Sequence, residues 1–93
     1  MKLDELWVLV RKIPKGKVTT YGMLARRLGT SPRAIGQALK KNDKLITIPC
    51  HRVVKSNGEL GGYVKGAKEK KRLLESEEVD TNNLLVFIQD INI

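Results

Sequence analysis

The chain has one cysteine, one histidine and no long apolar run. A single cysteine excludes an internal disulfide. It leaves Cys50 as a small buried hydrophobe, a reactive thiol or half of an intermolecular bridge. With only His51 beside it, a Cys/His metal site is not expected, and no cofactor is called for. No apolar stretch approaches the length needed to span a bilayer, so no membrane partner is expected. Internal repeats and low-complexity segments are missing as well. The first residues, Met1-Lys2-Leu3-Asp4-Glu5, already include two acids, which is unlike a signal or transit peptide, and a cytoplasmic location is the expectation.

Acids are scarce in the first half. Between Arg11 and Lys55 there are twelve Lys/Arg and one acid, Asp43, whereas from Ser56 onward there are five bases and seven acids. The overall charge of +8 is therefore concentrated in one segment. A solvated face usually mixes signs, and a one-sign half suggests a polyanion partner, with nucleic acid a better fit than membrane. The 93 residues, 41% hydrophobic and 30% charged, suit one soluble globular domain over 1–93, expected as a monomer.

Leu3, Leu6, Trp7, Val10 and Ile13 have helical spacing and predict a helix over 3–13, stopped by Pro14 and Lys15-Gly16-Lys17. Thr19 or Thr20 can cap a second helix from Tyr21, with Leu24, Ala25 and Leu28 inward and Gly29 at its end. Ser31-Pro32 opens a third helix to about Lys41, which makes 20–41 a helix-turn-helix candidate. Leu45-Ile46-Thr47-Ile48 reads as a short β segment halted by Pro49, and Ser56-Asn57-Gly58 as a turn. A fourth helix runs from Ala67 to about Glu77, with Leu73 and Leu74 inward. The tail from about 80 to 93, with Leu84 to Ile93 apolar and β-leaning, either covers the core or pairs with another chain. The fold class expected is mainly α with short β elements.

The third helix carries Arg33, Ala34, Gly36 and Ala38. A major-groove reader presents several long polar side chains, whereas small outward residues let a helix approach DNA closely. Small residues also permit tight helix–helix packing. The two readings weigh about equally from the segment alone, and the basic surroundings favour DNA, with Arg33 as the one long probe.

The segment Ile48-Pro49-Cys50-His51-Arg52-Val53-Val54 bears the chemistry. A thiolate is the nucleophile, and an ordinary thiol is mostly protonated at neutral pH. A neighbouring imidazole can take its proton directly or through a water, and a carboxylate can fix the imidazole's tautomer. Glu77 can supply that carboxylate if the fourth helix packs beside the motif. Adjacent residues of a strand point to opposite faces, so Cys50 and His51 cooperate only across a turn, for which Pro49 is suited.

These residues resemble the O6-alkylguanine-DNA alkyltransferases, whose active-site heptad matches 48–54 completely. Ile13 to Gly22 is similar to that family's segment entering its helix-turn-helix. Arg33-Ala34-Ile35-Gly36 is similar to its recognition helix, Asn42 stands at its hinge position, and Gly61-Gly62-Tyr63 resembles its binding loop. The similarity covers about Leu6 to Glu78. It implies a winged-helix-like helix-turn-helix domain of the alkyltransferase C-terminal type, acting on double-stranded DNA that contains O6-alkylguanine. The damaged base would be flipped and its alkyl group moved once to Cys50. The implied catalytic set is Cys50, His51, Glu77, Tyr21 and Asn42. Arg33, Ala34, Gly36, Tyr21, Thr20 and Arg52 would meet DNA. Tyr21, Leu45, Pro49, Val53, Tyr63 and Val64 would line the base pocket, with the carbonyls of Cys50 and Val53 reading the guanine amine and the Val64 amide facing O6.

The sequence departs from that pattern in several places. The family's separate N-terminal domain has no counterpart in this sequence. Asn42-Asp43 replaces Asn-Pro, and Leu45 replaces a small residue or proline, which implies a narrower pocket. Val64 replaces serine, and the tail from Asp80 matches nothing. Three other readings share parts of this pattern: a non-catalytic lesion binder of the alkyltransferase-like kind, whose members replace the cysteine; a helix-turn-helix regulator; and a Cys-His hydrolase.

Overall fold

The computed structural model describes residues 1–90. Helix α1 (Leu3–Arg11) is followed by a two-residue strand β1 (Thr19–Thr20), α2 (Tyr21–Leu28) and α3 (Pro32–Leu39). A 3-10 turn (Cys50–Arg52) leads into β2 (Val53–Val54), then α4 (Ala67–Ser76) and a second 3-10 turn (Leu84–Phe87). No helix among the described residues is long and apolar enough to cross a membrane.

Local chemistry sets most of these boundaries. α1 ends two residues before the expected limit, with the Lys12 and Ile13 amides closing on the Leu9 and Val10 carbonyls. Of the two threonines, Thr20 caps α2, its hydroxyl accepting the Met23 amide at 3.0 Å. Gly29 ends the helix in the left-handed conformation, which costs a glycine least. Ser31 caps α3 through the Ala34 amide at 3.1 Å, with Pro32 at the first helical position. α2 and α3 thus form the helix-turn-helix.

Two segments differ from their sequence reading. Leu45–Ile48 is a tight turn in which Leu45 and Ile48 bridge each other and Ile46 takes a positive φ of 74°. β-Branched composition gives way there because Asn42 captures the turn from inside, accepting the Lys44 amide and donating to the Ile48 carbonyl. Within the described part of the tail, 84–87 coil into a 3-10 turn instead of extending; residues 91–93 lie outside the described residues.

β1 and β2 run parallel, Thr19 opposite Val53 and Thr20 opposite Val54. On its other edge the first strand meets the tail: the Val18 amide donates to Phe87 at 3.0 Å and the Gln89 amide to Val18 at 2.8 Å. The tail therefore covers the molecule's own core. Two apolar clusters result. One joins α1, α2 and α3 to Ile48, Cys50 and Val53; the other joins Val18, Val54, Leu74, Val79 and Leu84.

Leu84 is 2% exposed and closes the second cluster. Leu84→Ala should lower unfolding free energy by about 2–5 kcal/mol, read from urea denaturation. A change near zero would mean that the tail is not part of the folded core.

Candidate active site

Pro49 cannot continue the preceding turn, and Cys50–Arg52 then coil into a single 3-10 turn. That turn replaces the strand alternation that would separate the two side chains. Cys50 is 5% exposed and sits in the first core cluster, yet it also forms part of the wall of a cavity of about 590 Å³. The cavity lies between α3 (Arg33, Gly36, Gln37), Tyr21 at the start of α2, and the loop Gly61–Val64.

Asn42 holds the sulfur from behind, its Nδ2 donating to Cys50 Sγ at 3.2 Å and to the Ile48 carbonyl at 2.8 Å. Burial pushes the Cys50 thiol up, and the Asn42 hydrogen bond and the Lys70 charge oppose that rise.

His51 is wholly buried, with Nε2 3.0 Å from Glu77 Oε2. Glu77 caps the end of α4, one residue beyond the helix, so that α4 does pack its C-terminal end beside the motif. Burial raises the Glu77 carboxyl, but hydrogen bonds from Arg52 and His51 outweigh it and hold the group below its ordinary range. An ionised carboxylate can only accept, so the proton between the two residues belongs to Nε2 and the neutral ring keeps its lone pair on Nδ1. Nδ1 is buried and has no protein partner among the described residues. Its lone pair is left able to accept a proton.

Lys70, on α4, was not singled out from the sequence, where it is one base in a Lys/Glu-rich helix. It is wholly buried. Its ammonium donates to the Val53 carbonyl at 2.5 Å, the Gly62 carbonyl at 3.0 Å and the Tyr21 hydroxyl at 3.3 Å, and lies 5.5 Å from the centre of the Tyr21 ring. Burial lowers its pKa to about 8. Tyr21 in turn donates to Gly62 at 3.3 Å. The loop can lie this close only because residue 61 is glycine: a Cβ there would fall 2.8 Å from the Tyr21 oxygen, and φ is +80°. Burial and the nearby sulfur raise the Tyr21 phenol. Burial likewise raises that of Tyr63, to about 12; its ring stands edge-on to His51 with centroids 6.3 Å apart.

Asn42 is thus joined to Cys50, and Glu77 to His51 in the same turn, while Cys50, Tyr21, Arg33, Gly36, Tyr63 and Val64 line one cavity. Ala34 is half-buried at the start of α3, with its amide on Ser31. Several expectations are corrected. Thr20 is 2% exposed and spends its hydroxyl on the helix cap, so it offers nothing to a DNA surface. Arg52 is drawn inward by Glu77 and the Ile13 carbonyl instead of facing DNA. Pro49 and Val53 are buried and Leu45 packs against the core cluster, so none of the three lines the cavity and Leu45 does not narrow it. The Val53 carbonyl is already capped by Lys70. On α3, Ala38 is buried in the core, while Gly36 lines the cavity, where an added Cβ would lie 4.0 Å from the Tyr21 ring. One small residue serves packing and the other access.

The buried imidazole predicts a pH dependence. Burial lowers the His51 pKa from the usual 6.5. Below 6.5 the unfolded chain therefore binds more protons than the folded one, and stability is lost as pH falls through the folded value. The depressed Glu77 carboxyl acts in the same direction at lower pH. Urea midpoints should fall on acidification from about pH 7 to about pH 5, and His51→Gln should flatten the first part of that fall. A flat wild-type curve would mean that the ring is not held neutral.

Residues 3–79 match the family model described as 6-O-methylguanine DNA methyltransferase, DNA binding domain. A curated relative from Saccharolobus solfataricus, a methylated-DNA--protein-cysteine methyltransferase, is 60% identical over 70 residues, 75% of this chain and 46% of the relative. The chain thus spans about half the length of the curated relatives it matches. The crystal structure of O6-methylguanine-DNA methyltransferase from Pyrococcus kodakaraensis is similar with TM-score 0.76 and 46% identity, covering 83% of this chain and 46% of that one. S. pombe Atl1, solved in complex with damaged DNA containing O6-carboxymethylguanine, is similar with TM-score 0.69 and 36% identity, covering 86% of this chain and 82% of that one. With the cysteine turn, the helix-turn-helix and the family match lying on the same residues, the chain belongs to the 6-O-methylguanine DNA methyltransferase family through its DNA-binding domain.

Proposed function

We propose that this protein repairs DNA by direct reversal, moving an alkyl group from O6 of guanine in a duplex to Cys50, as a monomer and in the cytoplasm with the chromosome. The observation that carries the reading is a buried sulfur that opens onto a cavity and is followed in the same turn by an imidazole whose free nitrogen is set by a carboxylate.

In this reading the basic face holds the phosphates and α3 enters the minor groove. Arg33 fills the stack that the damaged guanine leaves, and extrusion costs a few kcal/mol. The Cys50 proton passes through a water to His51 Nδ1. The sulfur then attacks the alkyl carbon: the S–C bond forms, the C–O6 bond breaks, and its electron pair stays on the guanine. Tyr21 protonates N3 of the leaving base. Its phenolate is left beside the Lys70 ammonium, at 3.3 Å in the resting site, which supports that assignment. A thioether has no route back to the thiol here, so one protein repairs one base.

A second reading, lesion binding without transfer, is favoured by the extent of the Atl1 match, which covers most of that shorter protein. Intact mass separates the two. After incubation with a duplex bearing O6-methylguanine, the protein should gain one methylene, located on Cys50, and Cys50→Ser should bind the duplex and gain nothing. A folded, DNA-bound wild-type protein of unchanged mass would overturn transfer in favour of lesion binding.

A further inference from the structure

Arg52 belongs to neither the nucleophile nor the DNA surface, yet its side chain makes more hydrogen bonds than any other of the cysteine turn. Its Nε donates to Glu77 Oε1 at 2.9 Å, its Nη2 to Glu77 Oε2 at 2.7 Å, and its Nη1 to the Ile13 carbonyl at 2.8 Å. Oε2 is the same oxygen that receives His51 Nε2. The side chains of the Arg52–Glu77 pair are only 14% and 10% exposed, so solvent does little to weaken it. We propose that Arg52 is a positioning residue for the thiol chemistry: its guanidinium fixes the plane and the charge of Glu77, and thereby the tautomer of His51. This rests on the proposed function for its purpose, but not for its test.

Proton placement decides the role of Arg52. A two-point fork holds the carboxylate coplanar with the guanidinium, leaving one lone pair of Oε2 directed at the imidazole. It also keeps Glu77 ionised, so that Glu77 only accepts. Nε2 must then carry the ring proton, and Nδ1 is free to receive the one from Cys50. Without the fork a buried Glu77 can take up a proton. A protonated carboxyl can donate to Nε2, which moves the ring proton to Nδ1 and removes the base. The third donor, to Ile13, anchors the guanidinium to the chain just past α1, so the fork does not depend on the position of α4 alone. The other groups facing His51 are Lys70 from α4 and Tyr63 from the loop. Neither of them touches the Glu77 carboxylate, and so neither can replace Arg52 in this role.

The chain has one histidine and one cysteine, so both readouts are unambiguous in the whole protein. Nitrogen NMR of His51 should show the Nε2–H tautomer in the wild type. The pH profile of Cys50 alkylation by iodoacetamide gives the reactivity of the thiol without any need for DNA. In Arg52→Gln the tautomer should shift toward Nδ1–H and alkylation near neutral pH should slow by about tenfold or more, the direction a wrong tautomer imposes. Arg52→Lys keeps the charge but loses the fork, and should fall between. It also serves if the glutamine variant does not fold. A folded variant with lower thermal stability but an unchanged tautomer and pH profile would overturn the proposal and leave Arg52 a structural clamp. Failure of methyl transfer with the wild-type tautomer and its Arg52 dependence intact would instead count against the function and not against this role.

Discussion

The carboxylate of Glu77 is the point at which three segments of the chain meet. It receives two donors from Arg52 and one from His51, and the same guanidinium reaches back to Ile13 beyond α1. Leaving one member of such a buried set unpaired costs about 3–5 kcal/mol. α4 can therefore settle only with its C-terminal end against the cysteine turn. That placement sets Lys70, two turns earlier on the helix, under Tyr21 and behind the loop Gly61–Val64. The cavity is a consequence of where this helix ends.

Within the site, burial and charge oppose each other at the sulfur. Desolvation raises the thiol, while the Asn42 amide and the Lys70 ammonium favour the anion. Lys70 is satisfied by two carbonyls and a phenol, and none of these neutralises it. Its positive charge is thus available to a negative charge that forms nearby, whether on sulfur or on the Tyr21 oxygen. The apolar wall strengthens each of these interactions relative to water. The Cys50 thiol and the Tyr21 wall of the cavity share the same buried ammonium.

The parts readable from sequence were those governed by local rules. Thr20, Gly29 and Ser31-Pro32 are caps whose chemistry acts within one turn of chain, and they delimit the helix-turn-helix. The Cys50-His51 adjacency and the offset carboxylate at Glu77 could be read as a chain of proton acceptors. What resisted reading depends on distant partners. Leu45–Ile48 has the composition of a strand but is bent by the Asn42 side chain. Arg52 looks like one more base on a basic face until Glu77 arrives, 25 residues later, to draw it inward. Lys70 sits among lysines and glutamates with nothing to mark it, because its acceptors are backbone carbonyls. A signal did exist in the apolar neighbours Leu73 and Leu74, which place residue 70 on the inward face of α4.

The proposed alkyl transfer depends on proton transfer from Cys50 to an imidazole oriented by Glu77, and the most direct test is the pH dependence of single-turnover transfer in Glu77→Gln. The variant should still accept the alkyl group on Cys50, but more slowly throughout the neutral range, and it should recover as pH rises and the thiol ionises without help. A folded Glu77→Gln protein with the wild-type rate and the wild-type pH profile would contradict it.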